Sequence, residues 1–181
     1  MVSLEYLGHS FFKLESSDGK TAAIDPYISG NPNCPVKVED FKSDYILVTH
    51  GHGDHLGDTV ALAKKNGSKL VAIHEITQYA AGQGVKEFTN MNFGGTVKEG
   101  PFRITLVPAV HSSGISEVEF GFDGGDPGGF IIEVDGKSIY HAGDTSVFGD
   151  MKLLAELYSP DVAMLPVGDR FTMGPREASY A

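Results

Sequence analysis

Tryptophan is absent from this 181-residue chain, and cysteine occurs once, at Cys34. A single thiol forbids an intrachain disulfide and, by count alone, a structural zinc site built from several thiolates. In the run Asn31-Pro32-Asn33-Cys34-Pro35 it reads as a loop thiol. Basic residues are also scarce: 14 Lys and Arg face 24 Asp and Glu, for a net charge of −10. A surface of that sign repels phosphate backbones and anionic lipids, so neither a nucleic-acid nor a membrane partner is expected. Lys64-Lys65, the one adjacent basic pair, falls on the outer face of a helical pattern and reads as solvated surface. No apolar run approaches a bilayer span, and Met1-Val2-Ser3-Leu4-Glu5 has neither a basic nor an apolar leader, which points to the cytoplasm.

What is present suits one globular domain over residues 1–181, at 41% hydrophobic and 21% charged. Short strands are expected at 2–7, 11–15 and 21–24, with Ser17-Asp18-Gly19 a hairpin turn, followed by an irregular Pro- and Asn-rich loop to about Asp40. Further strands are expected at 44–49, 69–73, 85–89, 96–98, 102–110, 131–134, 138–141 and 161–167, the last of them buried-looking. Helical patterns follow Leu56 and cover 75–81 and 151–158. This rhythm says α/β or α+β and no more.

The richest stretch is Val48-Thr49-His50-Gly51-His52-Gly53-Asp54-His55, which packs four metal-competent side chains into six residues. It lies between a β-branched, aromatic-rich strand and a helix, so its ligands sit on a rigid strand tip. Gly51 and Gly53 are expected to take left-handed conformations that let the imidazoles converge. Spacing by two lets His50 and His52 share one ion, while Asp54 and His55 point elsewhere and can serve a second, as a two-metal hydrolytic centre requires. Imidazole suits zinc first, with manganese, nickel and iron also accommodated. The bland alternative is a polar turn with incidental histidines.

These residues resemble the His-x-His-x-Asp-His motif of the metallo-β-lactamase superfamily. Val107-Pro108-Ala109-Val110-His111 looks like that superfamily's third-histidine strand, and Tyr140-His141-Ala142-Gly143-Asp144-Thr145 like its bridging-aspartate turn. Leu7-Gly8-His9-Ser10, Ile24-Asp25-Pro26, Gly30-Asn31-Pro32 and Gly168-Asp169-Arg170-Phe171-Thr172-Met173 narrow the resemblance to the UPF0173-like metal-dependent hydrolases related to ascorbate-6-phosphate lactonase. The resemblance implies a four-layer αββα sandwich and a binuclear centre. His50, His52 and His111 would hold one of two Zn2+ ions; Asp54, His55 and Asp144 would serve the other. Asp54 would also act in catalysis.

Each of these residues has a plainer reading. His111 could be a solvent-exposed strand end, and Asp144 an Asx turn or helix cap. His9 and Asp25 sit at turns and could orient ligand imidazoles or touch substrate. His141, next to glycine and the proposed bridge, is expected to make a supporting hydrogen bond; His74 reads as structural, and Asp169 belongs to a loop that the resemblance puts at the cleft. One departure stands out: the superfamily's second site gains a last histidine near the C-terminus, and no histidine follows His141. The chain is therefore expected to lack the final strand and helix of the sandwich, and to expose apolar surface around Val162, Met164 and Leu165.

The function expected is hydrolysis of a small-molecule lactone, amide or phosphoester; self-association is left open. Two other classes compete with it: a mono- or di-iron redox enzyme of the same fold, and a non-catalytic metal-binding protein.

Overall fold

The computed structural model describes residues 1–115 and 121–181. The order of elements is β1 (Ser3–Tyr6), β2 (Phe12–Glu15), β3 (Thr21–Ile24), β4 (Tyr45–Val48), α1 (Gly53–Leu56), α2 (Thr59–Asn66), β5 (Lys69–Ile73), α3 (His74–Gly82) and β6 (Phe88–Met91). There follow β7 (Thr96–Glu99), β8 (Phe102–Pro108), β9 (Gly114–Ile115), β10 (Phe122–Asp123), β11 (Gly128–Val134), β12 (Lys137–His141), α4 (Met151–Tyr158), β13 (Val162–Met164) and α5 (Pro175–Ala178). The part of the Gly-rich stretch at 116–120 lies outside the described residues.

The first sheet runs β1 to β6 in sequence order. Its first three strands pair antiparallel through tight turns, and β3 to β6 pair parallel. Parallel neighbours need crossovers: the irregular segment 25–44 links β3 to β4, and α2 and α3, packed against β4 and β5, supply the next two. The second sheet has the order β13-β12-β11-β8-β7, with β9 and β10 forming a separate ribbon. Alternation along β11 decides its packing. Phe130 and Ile132 join Leu14, Ile24, Ile46 and Phe102 in the core shared by both sheets, whereas Ile131 turns the other way to join Val107, Tyr140 and Leu154 of α4. Helices thus cover both outer faces and two apolar sheet faces meet between them, giving the αββα sandwich.

Several boundaries differ from the sequence expectation. The helix after the metal motif breaks in two at Gly57, whose φ of 44° and approach to Pro26 leave no room for a side chain: a Cβ would stand 2.6 Å from the Pro26 carbonyl oxygen. The strand expected at 85–89 shifts to Phe88–Met91, and His74 begins a helix instead of ending a strand. The strand expected at 161–167 shrinks to Val162–Met164 and is not buried: as the sheet's edge it leaves Val162 43% exposed. Its apolar residues mislead because burial is a property of neighbours, not of the strand itself. Among the described residues no helix is long and apolar enough to cross a membrane.

Candidate metal centre

The centre forms where loops leave one end of both sheets. His50 and His52 follow β4, Asp54 and His55 ride on α1, His111 follows β8, Asp144 follows β12, and His9 stands on the turn between β1 and β2. Backbone and side-chain bonds tie these loops together. Gly128 N–H donates to the Thr49 carbonyl at 3.0 Å, and Val110 N–H donates to Thr145 Oγ1 at 3.0 Å, joining the His111 loop to the Asp144 turn. Gly51 is required by close approach, not by its backbone angle: a Cβ there would lie 2.5 Å from the Ser113 carbonyl oxygen. The left-handed conformation expected at Gly51 and Gly53 is found instead at neighbouring positions such as Gly57 and Gly143.

Among the described residues three donor groups result, in each of which one ligand atom per residue lies within 4.8 Å of the others: His50, His52 and His111; His50, His55 and Asp144; and His9, Asp54 and His55. The first matches the expected trio. The expected grouping of Asp54, His55 and Asp144 is divided, because His55 faces both carboxylates while Asp54 turns to His9 and Asp144 to His50. Asp144 Oδ2 stands 3.4 Å from His55 Nε2 and 3.8 Å from His111 Nε2, between the imidazoles of two groups.

The hydrogen bonds determine which nitrogens remain free. Asp25 is fully buried and accepts from Thr49 N–H at 2.8 Å, from the Thr49 hydroxyl at 2.7 Å and from His55 Nδ1–H at 2.8 Å. Thr49 Oγ1, having given its proton to Asp25, accepts from His50 Nδ1–H at 3.0 Å. One carboxylate therefore places the proton of both His50 and His55 on Nδ1 whenever the rings are neutral, and each Nε2 then has its lone pair aimed inward. His52 Nε2 lies 3.3 Å from Ser112 Oγ and its Nδ1 lies 3.1 Å from His50 Nε2. Two nitrogens bound at about 2.0–2.1 Å to a tetrahedral ion stand roughly 3.3–3.4 Å apart, so this pair already has nearly the spacing of shared ligands.

His55 Nε2 tests whether a cation fits. It lies on a fully enclosed side chain with no well-formed hydrogen bond and with Asp144 Oδ2 3.4 Å away, so a cation held between the nitrogen and that carboxylate would satisfy both. Electrostatics agree. Burial and neighbouring imidazoles hold His50 well below its ordinary value, and burial does the same more weakly for His111, so both stay neutral and ligand-competent. Burial opposes a charge on His55, yet pairing with Asp144 and Asp25 outweighs it and drives its value up, so the pocket favours positive charge. The donor set of imidazole and carboxylate suits zinc-type ions.

A family model described as the beta-lactamase superfamily domain matches residues 22–181. A UPF0173 metal-dependent hydrolase of Methanosarcina barkeri is 51% identical over 180 residues, which cover 99% of this chain and 77% of that protein. The chain belongs to the UPF0173 metal-dependent hydrolases. A second such protein, from Methanopyrus kandleri, is 50% identical over 99% of this chain and 78% of its own length. Among solved structures, a metallo hydrolase of the archaeon Ignicoccus hospitalis superposes with a TM-score of 0.85 at 40% identity, over 98% of this chain and 75% of the other.

Within this UPF0173 chain the remaining expected residues fall in different places. His141 is buried and both its nitrogens are used: Nδ1 accepts from Gly143 N–H at 3.1 Å and Nε2 lies 3.3 Å from the Ser10 carbonyl. It shapes the Asp144 turn and has no nitrogen left for an ion. His74 is exposed and meets Asn90, outside all three donor groups. Asp169 is exposed, and its loop reaches the cleft through Gly168, Phe171 and Thr172 instead. That cleft, about 640 Å³, has His9, Asp54 and Asp144 at its polar end and Phe12, Met164, Leu165 and Val167 along its walls. Thr49 is the functional residue that sequence reasoning passed over. Its only signal was a hydroxyl placed between a buried strand and the first histidine.

Proposed function

We propose that this chain hydrolyses a small-molecule lactone, amide or phosphoester at a centre holding two divalent ions, zinc foremost. The observation that carries the reading is the fully buried His55 Nε2, which faces Asp144 Oδ2 at 3.4 Å without a well-formed hydrogen bond at the junction of the donor groups. His50, His52 and His111 would hold one ion, His55 and Asp54 the second, with Asp144 between them. Such ions, when bound, supply water whose pKa falls from about 15.7 towards 7 and polarise the oxygen of the scissile group.

The chain's own residues do the rest. Asp25 and Thr49 lock the imidazoles so that no reorientation is needed when substrate arrives. The hydrogen bond from His9 holds Asp54 well below the ordinary carboxylate range, so it remains an acceptor at neutral pH and can orient the attacking water. The apolar walls of the cleft take the body of the substrate and thin out water around the reacting group.

The test is to strip the protein with a chelator, restore zinc, manganese, nickel or iron stepwise, and assay each form on lactone, amide and phosphodiester panels. Hydrolysis that vanishes on stripping and returns with metal supports the reading. A fully loaded protein that hydrolyses none of these classes overturns it.

A further inference from the structure

The loop from Gly168 to Met173 borders the cleft, and hydrogen bonds fix its shape. Asp169 N–H donates to the Met173 carbonyl at 3.0 Å and Gly168 N–H to Thr172 Oγ1 at 3.2 Å, so the segment returns on itself. Met173 is buried, and its N–H donates to the carbonyl of Thr145 at 3.0 Å, one residue beyond Asp144. The tip of the loop therefore keeps a set position relative to the metal centre. Two side chains at that tip have no packing task. Phe171 lines the cleft yet is 75% exposed. The Arg170 guanidinium lies over the Phe171 ring, 5.1 Å from its centroid, and has no ion pair or side-chain hydrogen bond among the described residues. Arg103, by contrast, meets Glu133.

We propose that Arg170 and Phe171 form an outer subsite of the cleft that selects substrates carrying a carboxylate on an apolar body, away from the scissile bond. The proposal rests on the hydrolytic reading above. Contact with an aromatic ring occupies the face of a guanidinium and leaves its in-plane N–H donors free. Parallel donors of such a fork match the two oxygens of a carboxylate, and a guanidinium already held on a ring has less freedom to lose on binding. Phosphate offers similar oxygens but brings a second negative charge. One guanidinium supplies one positive charge, Asp169 adjoins it, and the whole chain carries −10, so the monoanion is the better match. The walls suit an apolar body: Phe12, Met164, Leu165 and Val167 line the same cleft as Phe171, Asp54 and Asp144.

The alternative is that Arg170 only shields Phe171 from water. Three δ-lactones that differ only at the end of a propyl side chain, as carboxylate, carboxamide or phosphate, separate the two when assayed with the zinc-loaded full chain. The readout is the ratio of kcat/KM for carboxylate over carboxamide, because a shielding role would lower both together. The expected ratio is about 10 in the wild type, modest for a charged, forked hydrogen bond because the rim is wet. It should fall to about 1 in Arg170→Gln and to an intermediate value in Arg170→Lys, which keeps the charge and loses the fork. Arg176→Gln makes the same charge change on exposed α5 and should keep the wild-type ratio. A wild-type ratio near 1, a ratio that survives in Arg170→Gln, or a preference for phosphate over carboxylate overturns the subsite. Tetrahydropyran congeners, which have no scissile bond, repeat the comparison as dissociation constants followed by NMR. A carboxylate that binds the ions directly would not depend on Arg170. If no lactone is cleaved but the carboxylate congener binds about 10-fold tighter than the carboxamide in the wild type and not in Arg170→Gln, the subsite stands and lactone hydrolysis falls. If that difference is missing, the subsite is wrong whatever the reaction.

Discussion

Replacing Asp25 by Asn removes one charge and no volume at the residue that sets two imidazole tautomers. Asp25 has a φ of 49°, which Asn tolerates, so the backbone should not move. The carboxylate accepts three hydrogen bonds from Thr49 and His55 with no solvent contact. An amide offers one oxygen and one NH2, so whichever way it faces, at least one donor meets a donor. If NH2 takes the Oδ2 position, the Thr49 hydroxyl can rotate, but His55 Nδ1 must give up its proton to Nε2 and lose the lone pair proposed for the ion. One charge-assisted bond lost and one buried donor left unpaired amount to about 2–3 kcal/mol. For a chain of this size that lowers Tm by roughly 4–12 °C. Metal affinity should fall about 10–100-fold, as when the partner of a ligand histidine is removed. The assay pairs thermal unfolding of chelator-treated protein with competitive zinc titration. A variant that loses stability yet binds both ions as tightly as the wild type would show that Asp25 is a packing residue and refute the tautomer argument.

Asp144→Asn should reduce hydrolysis at least about 100-fold, equivalent to roughly 2.7 kcal/mol of transition-state stabilisation, and should also lower the chelator-treated Tm, because the carboxylate 3.4 Å away helps to hold the charge on buried His55; near-normal turnover would favour a plain turn role. Gly51→Ala places a Cβ 2.5 Å from the Ser113 carbonyl oxygen and should destabilise by about 1–3 kcal/mol and loosen the His50–His52 ion, whereas Gly149→Ala, with open space around it, should do neither; equal Tm values for the two would remove the close-approach argument. Burial opposes ionisation of Asp44, but hydrogen bonds from Lys20 and Thr21 outweigh it and keep its value below the ordinary 3.8. A depressed folded-state value contributes stability above the unfolded value and loses it as pH falls through the folded one. The stability difference between wild type and Asp44→Asn, followed by urea unfolding, should therefore be full at pH 7 and close below about 3.8; a gap that stays constant to low pH contradicts the assignment.

Local spacing carried much of the site. His50, His52, Asp54 and His55 sit within one turn and the first residues of a helix, so their nearness follows from covalent connection whatever the rest of the chain does. Alternating apolar residues likewise placed most strands, because period-two patterning is a property of each segment alone. Segment patterns could not say where β13 would lie in its sheet, nor that Gly57 would split a helix against Pro26, since both depend on what packs alongside. Asp25 and His9 show the same limit at the centre. In the sequence each is a polar residue at a turn; only the parallel pairing of β3 with β4 brings Asp25 under Thr49 and His55, and only the antiparallel turn between β1 and β2 carries His9 to Asp54, 45 residues away. The chain's composition and one dense motif determined that it would bind metal; which nitrogens keep their lone pairs, and which carboxylate decides it, came from hydrogen bonds between strands that have no local signature.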